Sequence, residues 1–213
     1  MTNLLLIRHG QSISNLERYF TGSCDIPLTE LGMFQARQTA AYIKANYQVD
    51  AVYASDLSRA FETGKAVADL YGLTVIPDKN LREIFAGKWE RVPFTELEQL
   101  FPDTYRVWQT DIGNSHPDGG ESVAHLQQRI LEAVLRIGAE NEGKTVVLAT
   151  HATPVRALQC HCEGKSLSQM ASVPWVTNAS VTHIRYEDGK LNLLEAGHDG
   201  HLGNLSTSLP SNC

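Results

Sequence analysis

The chain is expected to fold as a three-layer α/β/α sandwich around a mostly parallel sheet with an antiparallel edge strand, and three patterns point there. Short, continuous apolar runs alternate with longer segments of helical periodicity, the arrangement that builds βαβ units. Polar residues able to do chemistry follow directly on several of those runs, where open α/β sheets place their ligands. A turn pair, Asp188-Gly189, separates two late strand-like segments.

In chain order, residues 4–7 are all apolar and end abruptly in a polar loop, so they read as a buried first strand. Thr29 suits the N-cap of a helix reaching about Tyr47, because Ala36, Ala40, Ile43 and Tyr47 recur at helical spacing. Residues 51–54 form a second strand, followed by a helix over 58–71 that Gly72 stops. Residues 74–76 read as a third strand. Pro102 interrupts the helical pattern between Phe94 and Trp108, which predicts two short helices within a helical insertion at about 92–120. Phe94, Leu97, Leu100, Phe101, Tyr105 and Trp108 are mostly the buried side of those helices, with a minority facing a ligand. Ser122 opens a long helix whose seam is Val123, Leu126, Ile130, Val134 and Ile137. Residues 145–149 are another buried strand, with a helix from about Thr153, and 180–186 with 190–194 make the terminal hairpin. Residues 1–205 read as one domain and the Ser/Pro/Asn-rich end, 206–213, as a mobile tail.

Composition narrows the function. An apolar fraction of 42% supports one sizeable core, and a formal charge of -6 with no basic run argues against nucleic acid as a partner. A small anion remains acceptable, since a few arginines suffice to make a local positive pocket. The apolar stretch near the N-terminus is too short for a signal sequence or a membrane span, so a cytoplasmic protein without a membrane partner is expected. Four cysteines, Cys24, Cys160, Cys162 and Cys213, are too few and uneven for a disulfide framework and read as reduced thiols. Cys160-His161-Cys162 lacks a second ligand pair at finger-like spacing and lies in a helical stretch, so it is not read as a metal site. A homodimer stays open, because an interface need not differ in composition from ordinary surface.

Three strand ends carry the chemistry. Arg8-His9-Gly10 follows the first strand, Ser58-Arg59 follows 51–54, and His151 follows 145–149. Delivered to one sheet edge, they offer a neutral imidazole to attack phosphorus and forked cationic donors for the equatorial oxygens of a phosphoryl group. HExxH, GxxxxGK[ST] and an aspartate cluster at a strand end are all absent from the sequence, so neither a metal nor another cofactor is expected. His116, His125, His183 and His198 are read as ordinary structural or surface histidines. Trp89, Trp108 and Trp175 are read as core or rim.

The pattern resembles the histidine phosphatase superfamily, which includes cofactor-dependent phosphoglycerate mutases and many small phosphatases. The likeness rests on Arg8-His9-Gly10-Gln11-Ser12 with Asn15, then Thr21-Gly22, Asp25, Leu28-Thr29, Leu31-Gly32 and Gln35-Ala36. It continues through Ser55-Asp56-Leu57-Ser58-Arg59-Ala60 with Thr63, Leu81-Arg82-Glu83, Gly87-Lys88-Trp89-Glu90, Gly119-Gly120-Glu121-Ser122 and His151. The resemblance implies that His9 is the phosphorylated nucleophile and that Arg8, Asn15, Arg59 and His151 form the phosphate pocket. It makes Glu83 the proton donor, places Gln11, Thr21 and Gly22 at the substrate entrance, and lets backbone N–H groups beginning with Ala152 face the phosphate.

A phosphoglycerate mutase must also hold a second anionic group and keep water off the phosphohistidine. From Val92 to Gly120 the only basic residue is Arg106, against Glu96, Glu98, Asp103, Asp111 and Asp118. The mutases carry a lysine and an adjacent pair of arginines in a longer insertion, and this chain lacks that pair. A phosphatase acting on a small phosphorylated metabolite is therefore expected, with the mutase as the alternative and a non-catalytic phosphate-binding module as a further one. The family's small phosphatases act on α-ribazole phosphate, phosphoserine, sugar phosphates or several esters.

Overall fold

The computed structural model describes residues 1–208. Its six strands are β1 (Thr2–Arg8), β2 (Ala51–Ala54), β3 (Val75–Pro77), β4 (Thr145–Thr150), β5 (Val181–Glu187) and β6 (Lys190–His198). They make one sheet in the order β3-β2-β4-β1-β5-β6. The first four of these are mutually parallel, while β5 runs antiparallel to β1 and pairs with β6 as the edge hairpin.

Apolar residues run continuously along the central strands because both sheet faces are covered. Leu4 and Leu6 of β1, with Val146 and Leu148 of β4, pack on one face against Leu126, Ile130 and Val134 of α6 (Val123–Glu140) and Leu158 of α7 (Ala152–Cys162). Leu5, Ile7, Val147 and Ala149 point the other way, onto Ala40 and Ile43 of α2 (Glu30–Asn46) and Val67 of α3 (Ser58–Tyr71). The period-two alternation of β1 thus serves two cores, and a one-residue register slip would exchange them.

Local signals set the boundaries. The Thr29 side chain accepts the Gly32 N–H at the start of α2, and Ser122 caps α6 through the His125 N–H. Such caps are worth about 1 kcal/mol each. At the hairpin, Asp188 and Gly189 both adopt positive φ, as a tight two-residue turn requires. The insertion forms α4 (Phe94–Leu100) and α5 (Pro102–Thr110), with Pro102 starting the second helix. Leu97, Tyr105 and Trp108 are buried there, whereas Leu100 is exposed.

Three sequence expectations need correction. A short helix, α1 (Ile13–Glu17), follows the Arg8-His9 loop and was not foreseen, because its five residues are too few to show a period. The Thr150–His151 junction ends β4 one residue later than expected and makes His151 itself the N-cap of α7. The start of the expected mobile tail is tied down: Ser206 bonds Asp199, and Thr207 bonds Gln35 and Asn178. Residues 209–213 of that tail, Cys213 among them, lie outside the described residues. Cys24, Cys160 and Cys162 are free thiols. Among the described residues no helix is long and apolar enough to cross a membrane.

Candidate active site

Sheet register brings the two key histidines together. β1 and β4 pair with Arg8 opposite Thr150, so the next residue on each strand, His9 and His151, emerges side by side at the carboxyl ends. The His9 N–H donates to the Thr150 carbonyl at 2.9 Å, and the imidazole rings meet edge to face with centroids 5.1 Å apart. On the other flank of β4, the Ser55 N–H donates to Ala149 O at 2.9 Å. That bond carries the chain from β2 into α3, whose first turn holds Arg59.

The nucleophile loop is pressed against α2. A Cβ on Gly10 would lie 2.3 Å from the Gly32 carbonyl oxygen, and one on Gly32 would lie 2.0 Å from that of Gln11. Only two glycines allow these backbones to meet, which is the physical content of the Gly10 and Gly32 positions. Thr63 of α3 reinforces the loop by accepting the Gly10 N–H and donating to Arg59 O.

His9 is 5% exposed, and its Nδ1 lies 2.7 Å from the carbonyl of Gly10. A carbonyl oxygen only accepts, so Nδ1 must carry the proton, and in the neutral ring Nε2 keeps its lone pair. Burial first, then the charges of Arg59 and Arg8, hold the His9 pKa well below the usual histidine range. The ring is therefore neutral at neutral pH, with Nε2 unprotonated.

Arg59 is also buried, and its guanidinium donates to the carbonyls of Cys24 at 2.8 Å and Gly22 at 2.9 Å. Neither partner is a carboxylate, so the charge is held without a direct counter-ion, and burial pulls its pKa down to about 10. It stays protonated at neutral pH. An incoming phosphate supplies the missing negative charge, which is where a bidentate guanidinium gains most. Arg8, equally buried, donates to Val176 O at 2.5 Å. Asn15 closes the cradle: its Oδ1 accepts from Ser12 and Asn178, which turns the amide NH2 toward the cavity it lines.

Glu83 reaches the same cavity from the segment after β3. Its two carboxylate oxygens accept the N–H groups of Ile84 at 2.8 Å and Thr153 at 3.3 Å. Four side chains pin the segment. Arg82 forks onto Asp56, Thr150 Oγ1 donates to Leu81 O, and Arg129 donates to the carbonyls of Asn80, Arg82 and Glu83 while Glu121 grips it from the other side. Glu90 does the same for the loop around Gly22, accepting from Ser23 N and Cys24 Sγ.

These residues surround one cavity that opens to solvent. Of the residues expected at the site, Arg8, His9, Asn15, Thr21, Gly22, Arg59, Glu83 and Ala152 line it. His151 stands directly behind, fully buried against His9. Gln11 departs from expectation: its carboxamide oxygen accepts from Thr29 Oγ1 at the cap of α2, and it does not line the cavity. Its carboxamide oxygen helps hold the loop to the helix.

The remaining wall is aromatic, made of Tyr19, Phe20, Phe94, Trp108 and Trp175. Trp108 and Trp175 stack with centroids 6.5 Å apart, and the Arg156 guanidinium lies 4.2 Å over the Trp175 ring. Trp108 and Trp175, expected in core or rim, line the cavity, and Thr153 and Asn178 join the site without a signal in the sequence. Nothing in local pattern distinguishes an aromatic that faces a cavity from one that faces a core, since both look apolar at helical spacing.

A pH dependence follows. Folding keeps His9 and His151 neutral, and His183 and His201 are lowered more mildly, chiefly by burial. The unfolded chain binds these protons below about pH 6.5, so it holds more protons than the native state there and stability falls with pH. The contribution is fully present above about pH 6.5 and is lost as pH drops toward the depressed folded values. Urea denaturation at pH 7 and pH 5 is expected to show lower stability at pH 5, and His151→Gln should flatten the difference. A flat or reversed profile would contradict the buried neutral histidines.

A buried imidazole with a free Nε2, ringed by two guanidiniums and an amide and faced by the Glu83 carboxyl group, is the equipment of an enzyme that acts on phosphoryl groups. The chain belongs to the histidine phosphatase superfamily (branch 1), whose family model matches residues 4–199. Among curated relatives, it is 32% identical to phosphoglycerate mutase-like protein 4 of Arabidopsis thaliana over 87% of this chain and 80% of that one. It is 30% identical to phosphoserine phosphatase 1 of Hydrogenobacter thermophilus over 95% of both chains. Among solved structures, Bacillus stearothermophilus YhfR superposes with a TM-score of 0.90 at 32% identity, covering 95% of this chain and all (100%) of that one. A phosphoserine phosphatase from Entamoeba histolytica, in complex with phosphoserine, superposes at 0.84 with 27% identity, covering 95% and 100%.

Proposed function

We propose that this chain, as one domain of residues 1–205 working in the cytoplasm, hydrolyses small organic phosphomonoesters through phosphorylated His9. The observation that carries the reading is the fixed tautomer of His9, whose Nδ1–H is committed to Gly10 O and whose Nε2 is left to attack. In the first step Nε2 attacks phosphorus and the ester P–O bond breaks, with the Glu83 carboxylic acid protonating the leaving alkoxide. In the second the Glu83 carboxylate takes a proton from water, the water oxygen attacks phosphorus, and the P–N bond breaks to return Nε2 and release inorganic phosphate. Arg8, Arg59, Asn15, His151 and the N–H groups at the start of α7 offset the charge on the phosphoryl oxygens throughout.

Hydrolysis is favoured over isomerisation by the cavity's charge. Arg8 and Arg59 are its only cationic lining residues among those described, and both belong to the phosphate cradle. Arg106, the one basic residue of the insertion, is exposed and away from the lining. Among the described lining residues no further Lys or Arg is left to hold the second anionic group of a bisphosphoglycerate while it turns around. Glu83 also lines an outer cavity shared with Lys79, Arg82 and Arg129. The aromatic wall favours an ester whose organic part is flat or apolar over a small charged acid.

The test is a parallel measurement in EDTA of phosphate released from an aryl phosphate and of phosphoglycerate interconversion primed with 2,3-bisphosphoglycerate. Phosphate release is expected to persist in chelator and to exceed interconversion greatly. Loss of turnover in EDTA with recovery in Mg²⁺ or Mn²⁺ would overturn the mechanism, and faster interconversion would replace hydrolysis by the mutase reaction. An aryl phosphate is expected to be a better substrate than phosphoserine.

A further inference from the structure

The ring of His151 makes one hydrogen bond, and that bond is to a residue with no assigned role. Its Nε2 lies 2.9 Å from Ser55 Oγ, while its Nδ1 is buried and without a partner among the described residues. Both side chains are fully buried, away from bulk water.

The hydroxyl of Ser55 has one proton to give and two lone pairs with which to accept. One acceptor site is used by the Leu57 N–H at 3.3 Å. If His151 carried its proton on Nε2 and donated it to Ser55, the hydroxyl proton of Ser55 would be left in a dry interior with no acceptor, at the cost of an unmade buried bond. If instead Ser55 donates to Nε2, the serine is satisfied and the imidazole proton must sit on Nδ1. The orphan is then an Nδ1–H donor beside His9, where a transferred phosphoryl group has three oxygens to be met.

We infer that Ser55 is a positioning residue that fixes His151 as the Nδ1–H tautomer and so turns it into a hydrogen-bond donor for the phosphoryl group on His9. The two histidines then have complementary tautomeric settings. In His9 a carbonyl acceptor locks the proton on Nδ1 and frees Nε2 as a lone pair for attack. In His151 a hydroxyl donor occupies Nε2 and leaves Nδ1–H as the working atom. The same backbone bond that places Ser55 beside β4, from its N–H to Ala149 O, keeps the serine in register with the histidine. Burial first, then the groups around the ring, Arg59, His9, Arg129 and Arg8, keep His151 from gaining a second proton.

The inference rests on the phosphohistidine reading, but its test separates the two. Nitrogen-15 NMR of the resting protein, with histidines isotopically labelled, reports the tautomer of His151 without any turnover. The wild-type ring is expected in the Nδ1–H form, and titration with inorganic phosphate should shift the Nδ1 resonance. Ser55→Ala is expected to admit the Nε2–H form, to weaken phosphate binding, and to lower kcat for an aryl phosphate by about 10²-fold, the scale of losing one preorganised donor. The effect on KM should be smaller. Ser55→Thr, which keeps the hydroxyl, is expected to restore the Nδ1–H form. A wild-type His151 protonated on Nε2 overturns the inference, as does a folded Ser55→Ala enzyme with kcat unchanged. Should Ser55→Ala fail to fold, the wild-type tautomer still decides. Absence of any wild-type phosphoenzyme would sink the phosphatase reading and leave the tautomer result standing.

Discussion

His9→Ala is expected to remove turnover and the acid-labile phosphoenzyme together, lowering kcat by about 10⁴-fold or more, the scale on which loss of a nucleophile acts. The expectation follows from the way the loop is built. Gly10 supplies the carbonyl that orients the ring, Thr150 and Asn178 hold the His9 backbone, and burial together with Arg59 and Arg8 keeps the imidazole neutral. No neighbouring group is arranged to take over attack, because His151 has its Nε2 occupied by Ser55 and Glu83 has both oxygens on backbone N–H groups. The fold should survive, since the replacement leaves the β1 ladder and the Gly10–Gly32 contact intact. Acid-quench trapping with a radiolabelled ester, alongside circular dichroism, checks both halves. Phosphoenzyme in the folded variant would move the nucleophile elsewhere.

Glu83→Gln is expected to split substrates by leaving group. A general acid is worth roughly 10²–10⁴-fold where the departing oxygen needs a proton, so an alkyl phosphate should lose that factor in kcat/KM. An activated aryl phosphate leaves unaided and should still phosphorylate His9. Hydrolysis of the phosphohistidine should slow as well, because the same carboxylate activates water. Rapid mixing should therefore show a stoichiometric burst of phenol followed by a slow steady state. Glutamine keeps the shape of the side chain and one carbonyl oxygen as acceptor, so one of the two backbone bonds, to Ile84 or to Thr153, persists. Equal losses for good and poor leaving groups, with no burst, would remove Glu83 from the proton-transfer role.

The sequence by itself determined the layers and most of the cradle. Leu4 to Ile7 are apolar at every position, and only a strand covered on both faces explains that. The seam of α6 was readable for the same reason: a buried helix face must repeat near 3.6 residues, and all five of its predicted residues are fully buried. Arg8, His9, Arg59 and His151 stood out because each sits in a motif at or soon after the end of a predicted strand, whereas Glu83 was marked by the family resemblance. Tertiary structure alone decided which strands are neighbours, and hence that His9 and His151 meet through the pairing of Arg8 with Thr150, 142 residues apart by their numbers. It also decided that Gln11 faces Thr29 instead of the cavity, that Trp108 and Trp175 face the cavity, and that Thr207 is held against Asn178. The physical reason is common to these cases. Hydrophobic period and turn chemistry are written in neighbouring residues, whereas strand order, side-chain direction and hydrogen-bond partners are settled by long-range packing that local pattern does not encode.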